Sequence, residues 1–422
     1  MEYHNAKYKN LNKGGKVISE SDCKIALAKN GLFIIPNKGK EFYLYYSDID
    51  RMSDLNNQLE LSVYDGSRYI FYYFGGYYDQ FVHNLTLKRN YQMQKNLLML
   101  DVDYQKEFQA AFEFVDTKEK TIKDDEAKII LYRNSLVITR QREDFLNVNY
   151  CDIEKMSFDS TTFSLNISLD LGEKLIFTMM GGRFEEFKTD IERLIEEMYQ
   201  RNAKMLKEYL PKETEEWTVI QLARALKQGK ATKRSDIETI SPNLWKVLQG
   251  IIFKRPGEEK SEGPDKERKA AFDYLSSLAG PENTYIGIRE SFTSSEEELK
   301  PIFWFLVAFP KKNVIASEVT NEEGHATYFF KIKKEKSSSP AEVERKVKEI
   351  NRSMQALNFR RDVIRASDEE IKSEKFARYR VALRKLPYLN RIRKDFVGRV
   401  VHTSEESWEK GVQNILETMK GD

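Results

Sequence analysis

The first part of the chain alternates short apolar and aromatic stretches with polar turns. Five such stretches are KIALAKNG, LFIIP, EFYLYYSDI, LELSVYDG and RYIFYYFG. Their length and composition indicate β-strands, and Asn30-Gly31 and Asp65-Gly66 are hairpin turn signals. The glycine pair Gly75-Gly76 ends the last stretch, after which Phe81 and Leu85 begin an apolar face at helical spacing. The pattern predicts an antiparallel sheet closed by one helix.

The same pattern occurs a second time about one hundred residues later. Residues 23–52 match residues 127–156, and after a two-residue insertion the match continues to the helix. The stretch YIFYYFGGYYDQF, residues 69–81, has the counterpart LIFTMMGGRFEEF. Ile-Phe, Gly-Gly and the final Phe are common to both stretches, whereas most of the tyrosines are not. The repeat therefore predicts two copies of one scaffold that carry different side chains.

A meander of antiparallel strands with a C-terminal helix resembles the pleckstrin-homology-like (PH-like) superfold, in the GRAM or bacterial PH style. The stretches that carry the resemblance are KNGLFIIP, YYSDIDRM and GSRYIFYYFGG, with their second-copy equivalents. The resemblance implies two tandem PH-like antiparallel β-barrels, at residues 15–98 and 119–205, each closed by a C-terminal helix. It also implies a scaffold that binds phosphoinositides, peptides or proteins. Residues 97–118 fit a helix or a first strand of the second copy.

The second half has a different organisation. Residues 206–254 have helical spacing and form a helical connector, and residues 255–268 are rich in Pro, Gly and charge, which predicts a flexible linker. Residues 269–422 contain four strand-like stretches and several helices. We expect an α+β domain there, with a small antiparallel sheet backed by helices. The apolar stretch IFWFLVAF should be its central strand because both of its faces are apolar.

Charge, cysteine and histidine usage narrow the possible functions. The net charge of +2 gives no overall attraction to nucleic acid or anionic lipid. The two cysteines, Cys23 and Cys151, are far apart, and the four histidines are scattered, so we expect no disulfide, metal or cofactor site. This usage is typical of a cytoplasmic protein. No apolar stretch is long enough to cross a bilayer, so any membrane contact would be peripheral.

Motifs for catalysis are absent from the sequence. The glycine pairs do not extend to GxGxxG or GxxxxGK[ST], so we interpret them as strand-to-helix junctions with positive φ and close packing. His325 lies beside Glu322 and Glu323 in a predicted hairpin, and His402 precedes a predicted helix. Neither belongs to a known catalytic pattern. The sequence therefore predicts a protein that is not an enzyme.

Two groups of basic residues are candidates for binding a partner or an anionic surface. The segment 360–399 holds thirteen Lys/Arg and six Asp/Glu. Its candidate residues are Arg378, Arg380, Arg384, Lys385, Arg391, Arg393 and Lys394. Such a face meets a protein, nucleic acid or a membrane, or it is simply solvated. At two predicted hairpin tips, Lys38, Lys40, Arg140 and Arg142 are either solvated or contact an anionic surface.

The leading functional hypothesis is a non-enzymatic interaction or scaffold protein whose tandem PH-like domains bind protein partners. Its peptide-binding face would involve the tyrosines of the first copy that the second copy lacks, Tyr72, Tyr73, Tyr77 and Tyr78. A homo-oligomer built through such surfaces is a further possibility. Two alternatives stay open: peripheral membrane targeting through anionic lipid, and nucleic-acid binding through the basic C-terminal helices.

Overall fold

The structure is a computed structural model that describes residues 2–97, 103–139, 145–253, 266–290, 301–320, 325–333 and 337–419. The fold is α+β, as the sequence predicts, and its strands form antiparallel sheets. The chain divides into two compact units. Unit 1 comprises Met1–Lys188 and Ala366–Lys385, and unit 2 comprises Thr189–Arg365 and Leu386–Asp422.

Unit 1 begins with a seven-stranded sheet followed by one helix. Its elements are β1 (Tyr3–Leu11), β2 (Val17–Leu27), β3 (Gly31–Pro36), β4 (Phe42–Tyr45), β5 (Ile49–Leu55), β6 (Gln58–Val63), β7 (Arg68–Tyr72) and α1 (Tyr78–Leu97). The spatial order is β4-β3-β2-β1-β7-β6-β5, so that β1 pairs with both β2 and β7. Strand β1 lies before residue 15, where the first domain was expected to start. The strand was not predicted because its sequence is largely polar and only Ala6, Tyr8 and Leu11 are buried.

A second sheet has the same strand order. Its elements are β8 (Tyr104–Val115), β9 (Thr121–Tyr132), β10 (Ser135–Thr139), β11 (Phe145–Asn149), β12 (Ile153–Asp159), β13 (Ser164–Leu169), β14 (Lys174–Thr178) and α2 (Phe184–Tyr209). The order β11-β10-β9-β8-β14-β13-β12 confirms that the sequence repeat is a structural repeat. Of the two interpretations of residues 97–118, the strand was correct, because β8 opens the second sheet.

Equivalent side chains form the cores of the two repeats. Phe71 of β7 and Phe177 of β14 are both fully buried. In the second repeat, Phe187 of α2 makes edge contacts with Phe108 and Phe177, with ring centroids 5.1 and 5.4 Å apart. Burying one such aromatic side chain contributes roughly 1.5–3 kcal/mol, so this core is what holds each helix against its sheet.

Unit 2 contains a six-stranded antiparallel sheet whose strands follow chain order. The strands are β15 (Thr232–Lys233), β16 (Thr284–Glu290), β17 (Pro301–Phe309), β18 (Val314–Val319), β19 (Ala326–Lys331) and β20 (Phe396–Val401). Strand β17, which contains IFWFLVAF, lies inside the sheet as predicted. Both edge strands were missed: β15 has two residues, and the GRVV part of β20 was assigned to no element. The expected linker 255–268 lies mostly outside the described residues, which resume at 266.

Helices complete the two units. They are α3 (Glu216–Leu226), α4 (Arg234–Ile240), α5 (Leu244–Ile252), α6 (Lys266–Ala279), α7 (Pro340–Ala356), α8 (Asp362–Arg365), α9 (Asp368–Ile371), α10 (Ala377–Lys385), α11 (Pro387–Asp395) and α12 (Glu405–Thr418). The compact units divide the second half differently from the expected domains. Helices α9 and α10 belong to unit 1, whereas α3–α5 of the expected connector share a hydrophobic core with the unit 2 sheet.

Candidate functional site

The junction between the last strand and the helix has the same unusual backbone in both repeats. Tyr73 in the first repeat and Met179 in the second adopt left-handed conformations, with φ of 62° and 57°. A side chain other than glycine costs roughly 1–2 kcal/mol there. Both side chains also point into solvent, with exposures of 73% and 78%. The strained residue in each repeat therefore presents a large apolar group that the fold leaves uncovered.

The glycine pair after this residue has a simpler role than its sequence suggests. Gly75 and Gly181 have positive φ values of 61° and 56°, which confirms the predicted need for a flexible residue. The predicted close packing was wrong, because an added Cβ at Gly75, Gly76, Gly181 or Gly182 meets no atom within 4 Å. The glycines therefore leave open space beside the exposed residue.

In the first repeat this open space continues into a groove of about 680 Å³. Its lining residues are Lys9, Asn56, Asn57, Gln58, Ile70, Tyr72, Tyr73, Phe74, Gly75, Gly76, Tyr78 and Asp79. We call it the tyrosine groove. Its lining includes the β5–β6 turn, where Asn56 and Asn57 both have positive φ. Within the described ranges, no hydrogen bond involves the side chains of Asn56, Asn57 or Gln58.

The four candidate tyrosines have different environments. Tyr78 is buried and its hydroxyl hydrogen-bonds the Asp54 carboxylate, so it supports the groove from below. The Tyr72 hydroxyl donates to Glu20 Oε1 at 2.6 Å, and this bond together with burial raises the pKa of Tyr72 to about 12. Tyr73 stands against Tyr72 with ring centroids 5.0 Å apart, and the Lys7 ammonium lies 5.6 Å from its ring centroid, yet most of the side chain stays exposed.

Tyr77 lies outside the tyrosine groove. It is 58% exposed and its ring contacts His4, with centroids 5.5 Å apart. Leu55, at the end of β5 and next to the groove turn, is 70% exposed. The sequence identified Tyr77 but missed Leu55. An apolar residue directly before Asn-Asn at a predicted turn is the signal that could have found it.

The second repeat presents a different surface at the same place. Its β12–β13 turn exposes Phe163, which contacts Phe158 with ring centroids 6.4 Å apart. The Arg183 guanidinium lies 4.4 Å from the Phe108 ring centroid and donates to Glu186 at 2.8 Å. This surface lacks the tyrosines and the free amides of the first repeat.

The basic residues of α10 are engaged inside unit 1. Arg380 Nη1 lies 3.3 Å from Asp48 Oδ1, and its guanidinium lies 5.0 Å from the Tyr64 ring centroid. Asp50 is 3.3 Å from Arg384 and 4.0 Å from Lys385. Burial raises the pKa of Asp48, and the nearby arginines only partly oppose this shift. These contacts attach α10 to the first repeat.

The seven candidate basic residues between 378 and 394 lie on two helices, α10 and α11. They belong to two compact units, with the division between Lys385 and Leu386. In unit 2, Arg391 Nε contacts Glu349 at 2.9 Å, Arg393 is half-buried and Lys394 is exposed. The side chain of Arg378 lies outside the described part of the chain.

At the predicted hairpin tips, the structure describes only the first copy. Lys38 and Lys40 are exposed in the β3–β4 connection, where the Lys38 backbone N–H donates to Ser21 Oγ at 3.3 Å. Arg140 and Arg142 lie outside the described residues. The tip therefore carries accessible charge without a built site.

His325 and His402 lie side by side at the ends of paired strands in unit 2, directly before β19 and directly after β20. His402 Nε2 is 3.1 Å from Glu318 Oε2, and Thr327 Oγ1 donates to the same oxygen at 2.6 Å. The His402 ring stacks on Trp408 of α12. His325 contacts Arg268 of α6. The sequence missed the partner Glu318, although a glutamate inside the apolar strand NVIASEV was a usable signal.

Three further properties of the described residues concern metal binding, thiol reactivity and membrane insertion. No group of three or more potential ligands is placed to hold a metal ion there. Cys23 and Cys151 are both buried, and burial raises the pKa of the Cys23 thiol to about 12, so it is a poor nucleophile. The helices in the described ranges are too short or too polar to cross a bilayer.

Comparisons with known proteins identify no family for this chain. No protein-family model matches it, and no curated protein matches it. One similar solved structure is the crystal structure of the C-terminal domain of an unknown protein from Leishmania infantum. It has 10% sequence identity and a TM-score of 0.19, and the match covers 24% of this chain and 94% of that one. A likeness at this level carries no argument about fold or function.

Proposed function

We propose that this chain is a non-enzymatic interaction protein that uses tandem PH-like domains to bind protein partners, with the tyrosine groove as its main contact. The strand order supports the PH-like assignment. In each repeat a seven-stranded antiparallel meander, with its first strand pairing to its last, is followed by a helix that starts at the glycine pair. A scaffold of this kind supplies a site through its loops and side chains rather than through a fixed chemistry.

The observation that carries the proposal is the outward placement of Tyr73. Its left-handed backbone costs stability, and the ring remains 73% exposed, so its contacts with Tyr72 and Lys7 cover only a small part of it. Tyrosine is among the residues most enriched at interface hot spots, because its rigid ring buries much area at little entropic cost. A strained and exposed tyrosine that lines a groove is therefore best explained by a protein ligand.

Charge around the groove favours a protein over an anionic membrane. Lys9 is paired with Glu20 at 3.3 Å, and Lys7 with Asp22 at 3.6 Å. In α10, Arg380, Arg384 and Lys385 also form ion pairs within unit 1, which neutralise their charges. Both alternatives, anionic lipid and nucleic acid, need unneutralised cations, so the same charges weigh against them.

The test is affinity capture from source cells with the full chain as wild type, Tyr73→Gly and Met179→Gly. Glycine accepts the left-handed backbone, so each variant keeps its fold and loses only the exposed side chain. We expect a set of captured proteins that Tyr73→Gly loses and Met179→Gly retains. Identical capture by all three chains would refute the proposal, and so would wild-type flotation with anionic vesicles that both variants retain.

A further inference from the structure

We infer that the tyrosine groove binds a proline-rich peptide in the polyproline II conformation. This inference rests on the proposed function and narrows its partner class. It derives from three features of the groove: its aromatic wall, its unused amide groups and its charge balance. Each feature is matched by a property of a proline-rich peptide in the polyproline II conformation.

The aromatic wall suits proline rings. Tyr72 and Tyr73 meet edge to face, and the Tyr72 ring is held in place because its hydroxyl is bound to Glu20. Glu20 is in turn paired with Lys9, so the wall is fixed before any ligand arrives. Polyproline II ligands dock against such preformed aromatic ridges, and their own stiffness reduces the entropy lost on binding.

The β5–β6 turn supplies hydrogen-bond donors to the groove. Asn56, Asn57 and Gln58 face the groove, and their amide groups form no hydrogen bond among the described residues. A proline-rich peptide has backbone carbonyls with no internal partner and few N–H groups of its own. Three free amides beside an aromatic wall match this excess of acceptors.

The charge balance excludes a strongly anionic ligand. Lys9 is neutralised by Glu20, and Asp79, in the first turn of α1, is the other charged residue of the lining. A phosphorylated peptide would meet Asp79 without a free cation to hold its phosphate. The groove is therefore suited to a peptide without anionic groups, and its volume of about 680 Å³ accommodates a short stretch of it.

The second repeat provides the internal control. At the same place it carries Met179 for Tyr73, Thr178 for Tyr72 and a turn that ends in Phe163. It therefore has neither the aromatic wall nor the amide wall. We expect the proline-rich ligand to bind one repeat only.

The experiment is fluorescence anisotropy of labelled peptides with the full-length protein. The probes are a proline-rich peptide of about four polyproline turns, a Gly/Ser peptide and a strand-forming Thr/Val peptide of the same length. The proteins are wild type, Tyr73→Gly, Asn57→Gly and Met179→Gly. Asn57→Gly retains the left-handed turn and removes one amide, which separates donor loss from misfolding.

We expect saturable binding of the proline-rich peptide alone. Tyr73→Gly should weaken it at least about tenfold, in the range of a hot-spot residue, and Asn57→Gly severalfold. Met179→Gly should leave it unchanged, and raising salt from about 0.05 to about 0.5 M should alter it less than about twofold, because no ion pair is involved.

Three results would overturn the inference. The first is equal binding of the Thr/Val peptide, which indicates strand addition, and the second is binding that Met179→Gly weakens as much as Tyr73→Gly does. The third is the absence of proline-rich peptide binding at millimolar concentration. If the last result occurs while affinity capture still depends on Tyr73, only the ligand class is wrong. If capture is also independent of Tyr73, the proposed function itself fails.

Discussion

The two repeats of unit 1 share a scaffold and differ in what they display on it. Strand order, the buried phenylalanines and the left-handed residue before the glycine pair are the same in both. The exposed residue is Tyr73 in one and Met179 in the other, and α10 is attached to the first repeat through Asp48 and Asp50. The comparison teaches that the core sequence specifies the junction, whereas side chains outside the core decide what each copy contacts.

The largest expected effect tests whether the two cores are equivalent. Phe71→Ala and Phe177→Ala each remove a fully buried ring at matched positions. Each should destabilise its own repeat by about 3–5 kcal/mol, the usual cost of such a cavity. Hydrogen exchange, which resolves the two sheets, measures this. A large loss in one repeat and a small loss in the other would break the structural equivalence.

Loss of the contact between α10 and the first repeat should destabilise the first repeat and leave the second unchanged. Arg380→Met keeps the side-chain length but leaves the Asp48 carboxylate buried without its closest cation. Breaking a nearly buried pair in this way costs about 3 kcal/mol. Amide exchange should accelerate in α10 and at residues 46–50, with residues 150–154 of the second repeat as the control. Acceleration of equal size in both repeats would contradict this assignment.

The pH dependence of Asp48 follows from the direction of its shift. Because burial raises the pKa in the folded state above 3.8, the folded protein holds this proton more tightly than the unfolded chain. The wild type should therefore lose stability relative to Asp48→Asn as the pH rises from below 3.8 through the raised value. Urea unfolding of both proteins from acid to neutral pH checks the sign. A relative gain over that interval would mean that the Arg380 pair outweighs burial.

Relief of strain should be equal in the two repeats. Tyr73→Gly and Met179→Gly remove a left-handed cost of roughly 1–2 kcal/mol. They add a glycine entropy cost of roughly 0.5–1 kcal/mol, so each variant should gain between about 0 and about 1.5 kcal/mol. Thermal unfolding of both measures it. A loss of stability in Tyr73→Gly alone would show that the ring packs inside the molecule and would weaken the proposed function.

The smallest effect concerns the second glycine of each pair. Gly76→Ala and Gly182→Ala add a methyl group in open space at ordinary φ, so both should change stability by less than about 0.5 kcal/mol. Gly75→Ala is the matched contrast, because its φ of 61° makes alanine strained. A large effect at Gly76 would mean that a neighbour covers the junction.

Much of the fold could be predicted because periodicity reports burial directly. Alternation identified most strands of both repeats, and the apolar run IFWFLVAF identified the inner strand of unit 2. Strand β1 was not predicted, because its lysines and asparagines are interspersed with only a few buried residues. Strand β20 was not predicted, because its partner β19 lies about seventy residues away in the sequence. Pairing at that distance leaves no local signal.

The candidate site could be predicted only in outline. Comparing the copies selected Tyr72, Tyr73, Tyr77 and Tyr78, but it could not separate the buried Tyr78 from the exposed Tyr73. The basic segment was selected by charge alone, and charge does not reveal that Arg380 and Arg384 meet Asp48 and Asp50 more than three hundred residues earlier. Long-range ion pairs depend on which surfaces the fold brings together.

The sequence by itself determined that this protein has a duplicated scaffold with a strand, a glycine turn and a helix in each copy. Repetition and apolar spacing record local backbone preference and burial, and both are properties of nearby residues. The tertiary structure alone decided that Tyr73 faces solvent, that Asn56 and Asn57 line the same groove and that α10 belongs to unit 1. Those relations join residues distant in the chain, and they are fixed by packing rather than by any local preference.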